Sequence, residues 1–124
     1  MVDLSHVSSA ARLTVRREVA MLPRLLKADE QVVDLCHGAA AGKTVVLVVT
    51  TRRLISLTRR RFWGAKVESV PLSRIRRAEE QIGVRHASVV VDAGGRVIEL
   101  TDVDRALAQA FCARVRLLVT RFVS

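Results

Sequence analysis

The run Arg59-Arg60-Arg61-Phe62-Trp63 is the stretch of this chain whose residue types best suit chemistry with a partner. Three guanidinium groups beside two aromatic rings match an anionic surface. Trp and Phe enter a membrane interface while arginines meet the head groups, each cation contributing about 1 kcal/mol near the surface, less as salt rises. The alternative is that Trp63, the only tryptophan, folds back onto its own domain and leaves the arginines solvated. Neighbouring residues extend the charge. With Arg52, Arg53, Lys66, Arg74, Arg76 and Arg77, residues 52–77 hold nine cations against Glu68 alone, which is nearly all of the net charge of +9. Such a field draws lipid head groups, nucleic acid or an acidic protein face. For nucleic acid, the excess charge suits phosphate contacts. There is, however, no helix-turn-helix signature, and at 3% aromatic residues the chain has few rings for base stacking.

Nothing in the sequence assembles a catalytic or metal centre. His6, His37 and His86 fall in separate segments, without ligand spacing or a base-nucleophile pairing. Glu79 and Glu80 are adjacent, and neighbours on a strand point to opposite faces, so they make a poor acid/base couple. Gly94-Gly95 does not open a helix with Lys-Ser/Thr, so it is a turn and not a phosphate cradle. Cys36 and Cys112 lack a C-x-x-C spacing and read as two buried, reduced thiols. The expectation is a non-enzymatic protein without metal or cofactor.

The elements that must position these residues follow from periodicity. With 124 residues, half of them hydrophobic, the chain can bury one core. From Ser5 to about Met21, Val7, Ala11, Val15, Val19 and Leu22 form one helical stripe, and Pro23 is expected to end it. Strand signals then run from Gln31 to Ala39, Thr44 to Thr50, Leu54 to Thr58, Lys66 to Leu72, Arg76 to Gly83, Ala87 to Val91 and Arg96 to Leu100. Ser73 to Ile75 reads as a one-turn link, and Asp92-Ala-Gly-Gly95 as a hairpin turn. Thr44 to Thr50 is apolar on both faces, so both faces need cover. The N-terminal stripe either supplies that cover in its own chain or docks on a second copy. Self-association is favoured, because a helix ahead of a complete barrel is free to reach outward.

The last segment reads as a helix capped by Thr101, with Asp104 as a shorter stand-in for the usual Glu. Val103, Leu107, Phe111, Val115, Leu118 and Phe122 line its apolar face. The chain thus divides into an N-terminal helical extension, 1–21, and a barrel with its C-terminal helix, 22–124. The longest apolar run, Val45 to Val49, is strand-sized and far short of a bilayer. The N-terminus lacks the apolar stretch of a secretory signal. The expected location is cytoplasmic, or peripheral at the inner face of the membrane.

Four segments in this order, "LLKADEQVVDLC", "VVLVVTTRRLISLTRR", "KVESVPLSRIRRAEE" and "RVIELTDVDRALAQAFCARV", resemble a bacterial pleckstrin-homology (PH)-like domain of the YokE-like kind, related to GRAM and PH domains. The shared features are Glu30 opening the first strand, Thr51 with Arg53-Leu54, and the V-P-L-S-R-I turn. The resemblance spans roughly residues 22 to 122. It implies an α+β, mainly β fold: a bent, seven-stranded antiparallel barrel closed by the C-terminal helix, with the N-terminal helix as an addition. It implies an interaction module serving as scaffold or adaptor. Eukaryotic PH domains that bind phosphoinositides use cations on the first two strands and their loop. Here that loop holds only His37 and Lys43, so that site does not carry over.

Overall fold

The computed structural model describes residues 15–60 and 64–123, with side chains through residue 121. Seven antiparallel strands follow one another: β1 (Val32–Ala40), β2 (Lys43–Thr50), β3 (Arg53–Arg59), β4 (Ala65–Pro71), β5 (Arg77–Ile82), β6 (Ala87–Asp92) and β7 (Val97–Val103). They form one sheet in the order β4-β3-β2-β1-β7-β6-β5. The sheet is open, with β4 and β5 at its edges, and it bends where β1 meets β7 through the single pair Ala39–Thr101. Gly38 makes that corner possible. A Cβ there would lie 2.5 Å from the Thr101 carbonyl oxygen and 2.7 Å from Val103 Cγ2, closer than a side chain allows.

Helix α3 (Arg105–Val123) closes the bend, packing on β1, β5, β6 and the 3-10 turn Leu72–Arg74. Its buried face is Ala108, Phe111, Cys112 and Val115, with Leu107, Leu118 and Val119 partly covered. The cap differs from the sequence expectation. Strand β7 runs on to Val103, and Thr101 donates its hydroxyl to the Ala39 carbonyl (3.2 Å). Asp102, at φ +57°, turns the chain, and Asp104 caps the helix by accepting from Leu107 N–H at 3.0 Å.

β2 is buried on both faces, and each face belongs to a different apolar cluster. Val45, Leu47 and Val49 join the core beneath α3. Val46 and Val48 join Val32, Leu35, Ile55 and Leu57 on the outer face, where Val15 and Leu22 cover them. Each such fully buried Val or Leu contributes about 1.5–3 kcal/mol. The cover comes from two short helices, α1 (Arg16–Val19) and α2 (Leu22–Leu25). Pro23 does not stop a helix here. It sits in the first turn of α2, where a missing N–H leaves no bond unmade. Because Val15 and Leu22 are fully buried against their own sheet, they are not the self-association surface expected of the stripe. Val7 and Ala11 lie outside the described residues.

Two arginines fasten this cover. Along β3, Arg53, Ile55, Leu57 and Arg59 share one face by strand alternation. Arg59 grips Glu18 of α1 with two hydrogen bonds, Nη2 to Oε1 at 2.6 Å and Nε to Oε2 at 3.2 Å. Arg53 donates Nε and Nη2 to Glu30 (2.9 and 3.1 Å) and Nη2 also to the Leu25 carbonyl (2.7 Å). The Glu30 side chain is 0% exposed. Burial alone would raise its pKa. Hydrogen bonds from Arg53, from the Thr50 hydroxyl (2.6 Å) and from Lys27 N–H, with the Arg53 charge, bring it down to about 2.

Arg59→Ala leaves the Glu18 carboxylate, 1% exposed, without its partner and is expected to destabilise the fold by about 3 kcal/mol. Arg60→Ala, at an exposed neighbour, should stay within about 0.5 kcal/mol. Urea unfolding of both variants measures the difference, and equal losses would remove the clamp at Glu18. For Glu30 the folded pKa is depressed below its ordinary 4.5. Its contribution is therefore complete above that value and lost as pH falls toward about 2. Glu30→Gln should start less stable at neutral pH and show a flatter stability profile across that window. An acid limb as steep as the parent's would assign acid unfolding to other carboxylates.

Candidate functional site

The nine cations of residues 52–77 are contiguous in sequence and divided in space. The antiparallel register of β1 to β4 sends the turn at 40–43, the end of β3 and the start of β4 to one end of the four strands and the turn at 50–53 and the exit of β4 to the other. Arg59, Arg60 and Lys66 lie at the first end, Arg52, Arg53 and Arg74 at the second. The six-residue step from Arg53 to Arg59 corresponds to about 20 Å of strand. Arg61, Phe62 and Trp63 lie outside the described residues.

The candidates also differ in what already holds them. Arg53 and Arg59 are engaged by the buried carboxylates of Glu30 and Glu18. Hydrogen bonds to the Glu18 carboxylate outweigh burial and hold the Arg59 guanidinium firmly charged. Arg52 pairs with Asp29, Lys66 with Glu68 at 3.7 Å, and Arg77 with Glu79 at 3.6 Å. All three are exposed pairs of the kind that contribute little. Arg60, Arg74 and Arg76 are exposed and form no ion pair among the described residues. Arg76 N–H donates to the Asp92 carbonyl at 2.8 Å. That bond sets Arg74 and Arg76 against the turn at Gly94, whose φ is +63°.

Two depressions accompany these residues. One, of about 390 Å³, lies between the turn before β1, the β2–β3 turn and the end of β4; Lys27, Arg52, Arg53, Ser69, Pro71 and Ser73 line it. The other, of about 200 Å³, lies between the start of β5 and α3, with Ile75, Ala78 and Val119 beside Arg76, Arg77 and Arg116. Arg116 donates Nη1 to the Ala78 carbonyl (2.9 Å) and to Glu80 (3.0 Å). The hydrogen bond from Arg116 to its carboxylate lowers the Glu80 pKa against the effect of burial. Glu79 and Glu80 thus diverge as strand alternation requires, one to solvent and one to the helix. Lys27 and Arg116 were not among the sequence candidates. Arg116 had a signal: it is exposed but follows the buried Cys112 by four positions, at the margin of the helix's apolar face. Lys27 had none.

The remaining titratable groups belong to the packing. Cys36 and Cys112 are free and buried in one cluster, near enough that a Cys112 thiolate would raise the Cys36 pKa. Burial raises both, Cys112 to about 12, where the Glu80 charge adds to the effect. Such thiols are poor nucleophiles. Burial lowers the His37 pKa, with Asp104 and Glu18 pulling the other way and Arg59 adding to the fall. Among the described residues no group of three or more His, Cys, Asp or Glu could hold a metal. No helix there is long and apolar enough to cross a membrane.

Comparison with known proteins agrees with this architecture. Among curated proteins none matches the chain. A DUF1696 family protein with a pleckstrin-homology domain from Shewanella loihica PV-4 has a similar structure, with a TM-score of 0.56 at 20% identity over 82% of this chain and 95% of that one. A pleckstrin-homology domain from Shewanella amazonensis SB2B is similar to the same degree, with a TM-score of 0.56 at 20% identity over 81% and 96%. At that identity the likeness shows the fold alone. The family model described as bacterial PH domain matches residues 26–116, from the last turn before β1 to two-thirds of the way along α3, and the chain belongs to that family.

Proposed function

We propose that this PH domain is a non-enzymatic interaction module that holds an acidic, extended segment of a protein partner along the free edge of β5. The observation that carries this is the coincidence of an unpaired strand edge with a row of exposed cations. β5 ends the sheet, so among the described residues one side of its backbone has no strand partner, and of its outward groups the Ala78 carbonyl is taken by Arg116. Arg74, Arg76 and Arg77 lead into it, and the depression beside it offers Ile75, Ala78 and Val119 to an apolar side chain. An added strand gains main-chain hydrogen bonds from such an edge, and neighbouring pockets and charges select its sequence. The setting is a scaffold or adaptor in a bacterial cytoplasm, and the YokE-like, GRAM-related placement within the family is part of the same reading.

Contact of residues 59–63 with anionic membranes is the competing outcome. Of that run, Arg59 already binds Glu18, and Arg60 is the exposed cation among the described residues.

A photo-crosslinking residue at the exposed Gln81 of β5, expressed in the native host, should give discrete protein adducts. Arg74→Glu with Arg76→Glu should suppress them, and the same probe at Arg60 should give none. Absence of adducts at Gln81, together with salt-sensitive sedimentation on phosphatidylglycerol vesicles that is lost in Arg60→Ala/Trp63→Ala, would replace this reading with membrane binding.

A further inference from the structure

The 390 Å³ cleft at the far end of the β1–β4 strands is built differently from the edge of β5, and it carries an inference of its own. Three cations and two hydroxyls line it, and among the described residues no acid does: Lys27, Arg52, Arg53, Ser69 and Ser73, with Pro71 as the apolar wall. Its volume lies at the small end of small-ligand sites, which run from about 300 Å³ upward. The elements that frame it are already tied together. Leu72 N–H donates to the Arg52 carbonyl (3.1 Å), Thr51 N–H to the Gln31 carbonyl (2.9 Å), and the Thr50 hydroxyl accepts from the Arg52 and Arg53 amides at 3.0 Å each.

The cations differ in how they are held. Glu30 fixes Arg53 through Nε and Nη2, leaving Nη1 without a hydrogen bond among the described residues. One guanidinium edge is therefore set in place before any ligand arrives, which lowers the ordering cost of binding. Arg52 is held only by Asp29, in a pair whose side chains are 46% and 68% exposed. Such a pair is readily exchanged for a more highly charged acceptor. The Lys27 ammonium and the Ser69 and Ser73 hydroxyls make no side-chain hydrogen bond or ion pair among the described residues. The site thus offers the planar fork of Arg52, the remaining Nη1 of Arg53, a point charge and neutral donors around one space. That donor set matches a tetrahedral dianion better than a planar monoanionic carboxylate, which has fewer acceptor positions to satisfy it.

We infer that this cleft is a binding site for a phosphate monoester, supplied either by a soluble phosphorylated molecule or by a lipid head group. The inference does not rest on the reading of β5. Neither Arg74, Arg76 and Arg77 nor the 200 Å³ depression takes part, so either can fail alone.

The test follows backbone amide shifts by NMR while inorganic phosphate, and then glycerol 3-phosphate, is added at fixed ionic strength. In parallel, vesicles of phosphatidylcholine with phosphatidic acid are assayed by flotation. Saturable shifts centred on Arg52, Ser69 and Ser73 are expected. Arg52→Ala or Lys27→Ala should weaken binding about tenfold, as expected for losing one charge-assisted contact. Asp29→Asn should tighten it by releasing Arg52, and Arg60→Ala at the opposite end should leave it unchanged. These variants are all at exposed positions. Arg53 is left intact because its loss would orphan Glu30. Binding of the soluble ester without vesicle flotation supports a soluble ligand, and flotation abolished by Arg52→Ala supports a head group. Shifts that fail to saturate, shifts spread equally to Arg60 and Arg74, or binding of either probe that ignores Arg52→Ala would overturn the assignment.

Discussion

The structure depends on keeping both faces of β2 dry. A strand reading Val45-Val46-Leu47-Val48-Val49 cannot present either side to water without exposing a broad apolar patch. The bent sheet and α3 hide one side. The other requires a second layer, which among the described residues two short helices supply. Four-residue helices have little stability of their own, since nucleation costs are not recovered over so short a length. They must be held from outside. Arg53 and Arg59 do this at the two ends of β3, with Ile55 and Leu57 as the apolar floor between them. Buried ion pairs are weak sources of net stability, because desolvation offsets attraction. Their effect here is positional. Glu18 and Glu30 can be buried only where a guanidinium meets them, so the covering segment has one register on the sheet.

That constraint decides which charges remain for partners. A reading along the chain counts Arg53 and Arg59 with the basic stretch, whereas the fold turns them inward against carboxylates 23 and 41 residues upstream. The candidates left facing solvent stand on turns or strand edges: Arg52 and Arg74 at one end, Arg60 and Lys66 at the other, Arg76 and Arg77 leading into β5. The strand count and the terminal helix make this division unavoidable. An up-and-down meander sends alternate turns to opposite ends, so a basic run longer than one strand cannot form a single patch.

Much of this was legible in the residues. Seven strand signals and one amphipathic terminal helix match the seven strands and α3, with every strand boundary within three residues. The demand for cover over the valine-rich strand was readable from its doubly apolar pattern, and its source in the N-terminal segment was among the alternatives. The separation of charge is not explicit in the sequence, though its ingredient is, because Arg53, Ile55, Leu57 and Arg59 show strand alternation. The helix cap was displaced for a reason that propensity does not encode. A left-handed Asp102 lets β7 continue two residues past the expected start and hands the cap to Asp104. Gly38 is equally silent in sequence. Its role depends on β7 crossing within contact of β1, a fact about two strands far apart in the chain.

Adjacent arginines at 52 and 53 show how one turn serves both purposes. Arg53 is the first residue of β3, and its side chain follows the strand's alternation to the covered face. Arg52 precedes the strand, in the turn, and is not bound to that alternation. The same two-residue step therefore sets one guanidinium beside a buried carboxylate and leaves its neighbour in a loose surface pair. A buried carboxylate behind a cation reduces the net field but fixes the direction of its free N–H edge, and an exposed pair does the reverse. A cleft lined by one of each combines a rigid donor with an exchangeable one. Its selectivity then rests on geometry at Arg53 and its affinity on the charge that Arg52 and Lys27 can still deliver.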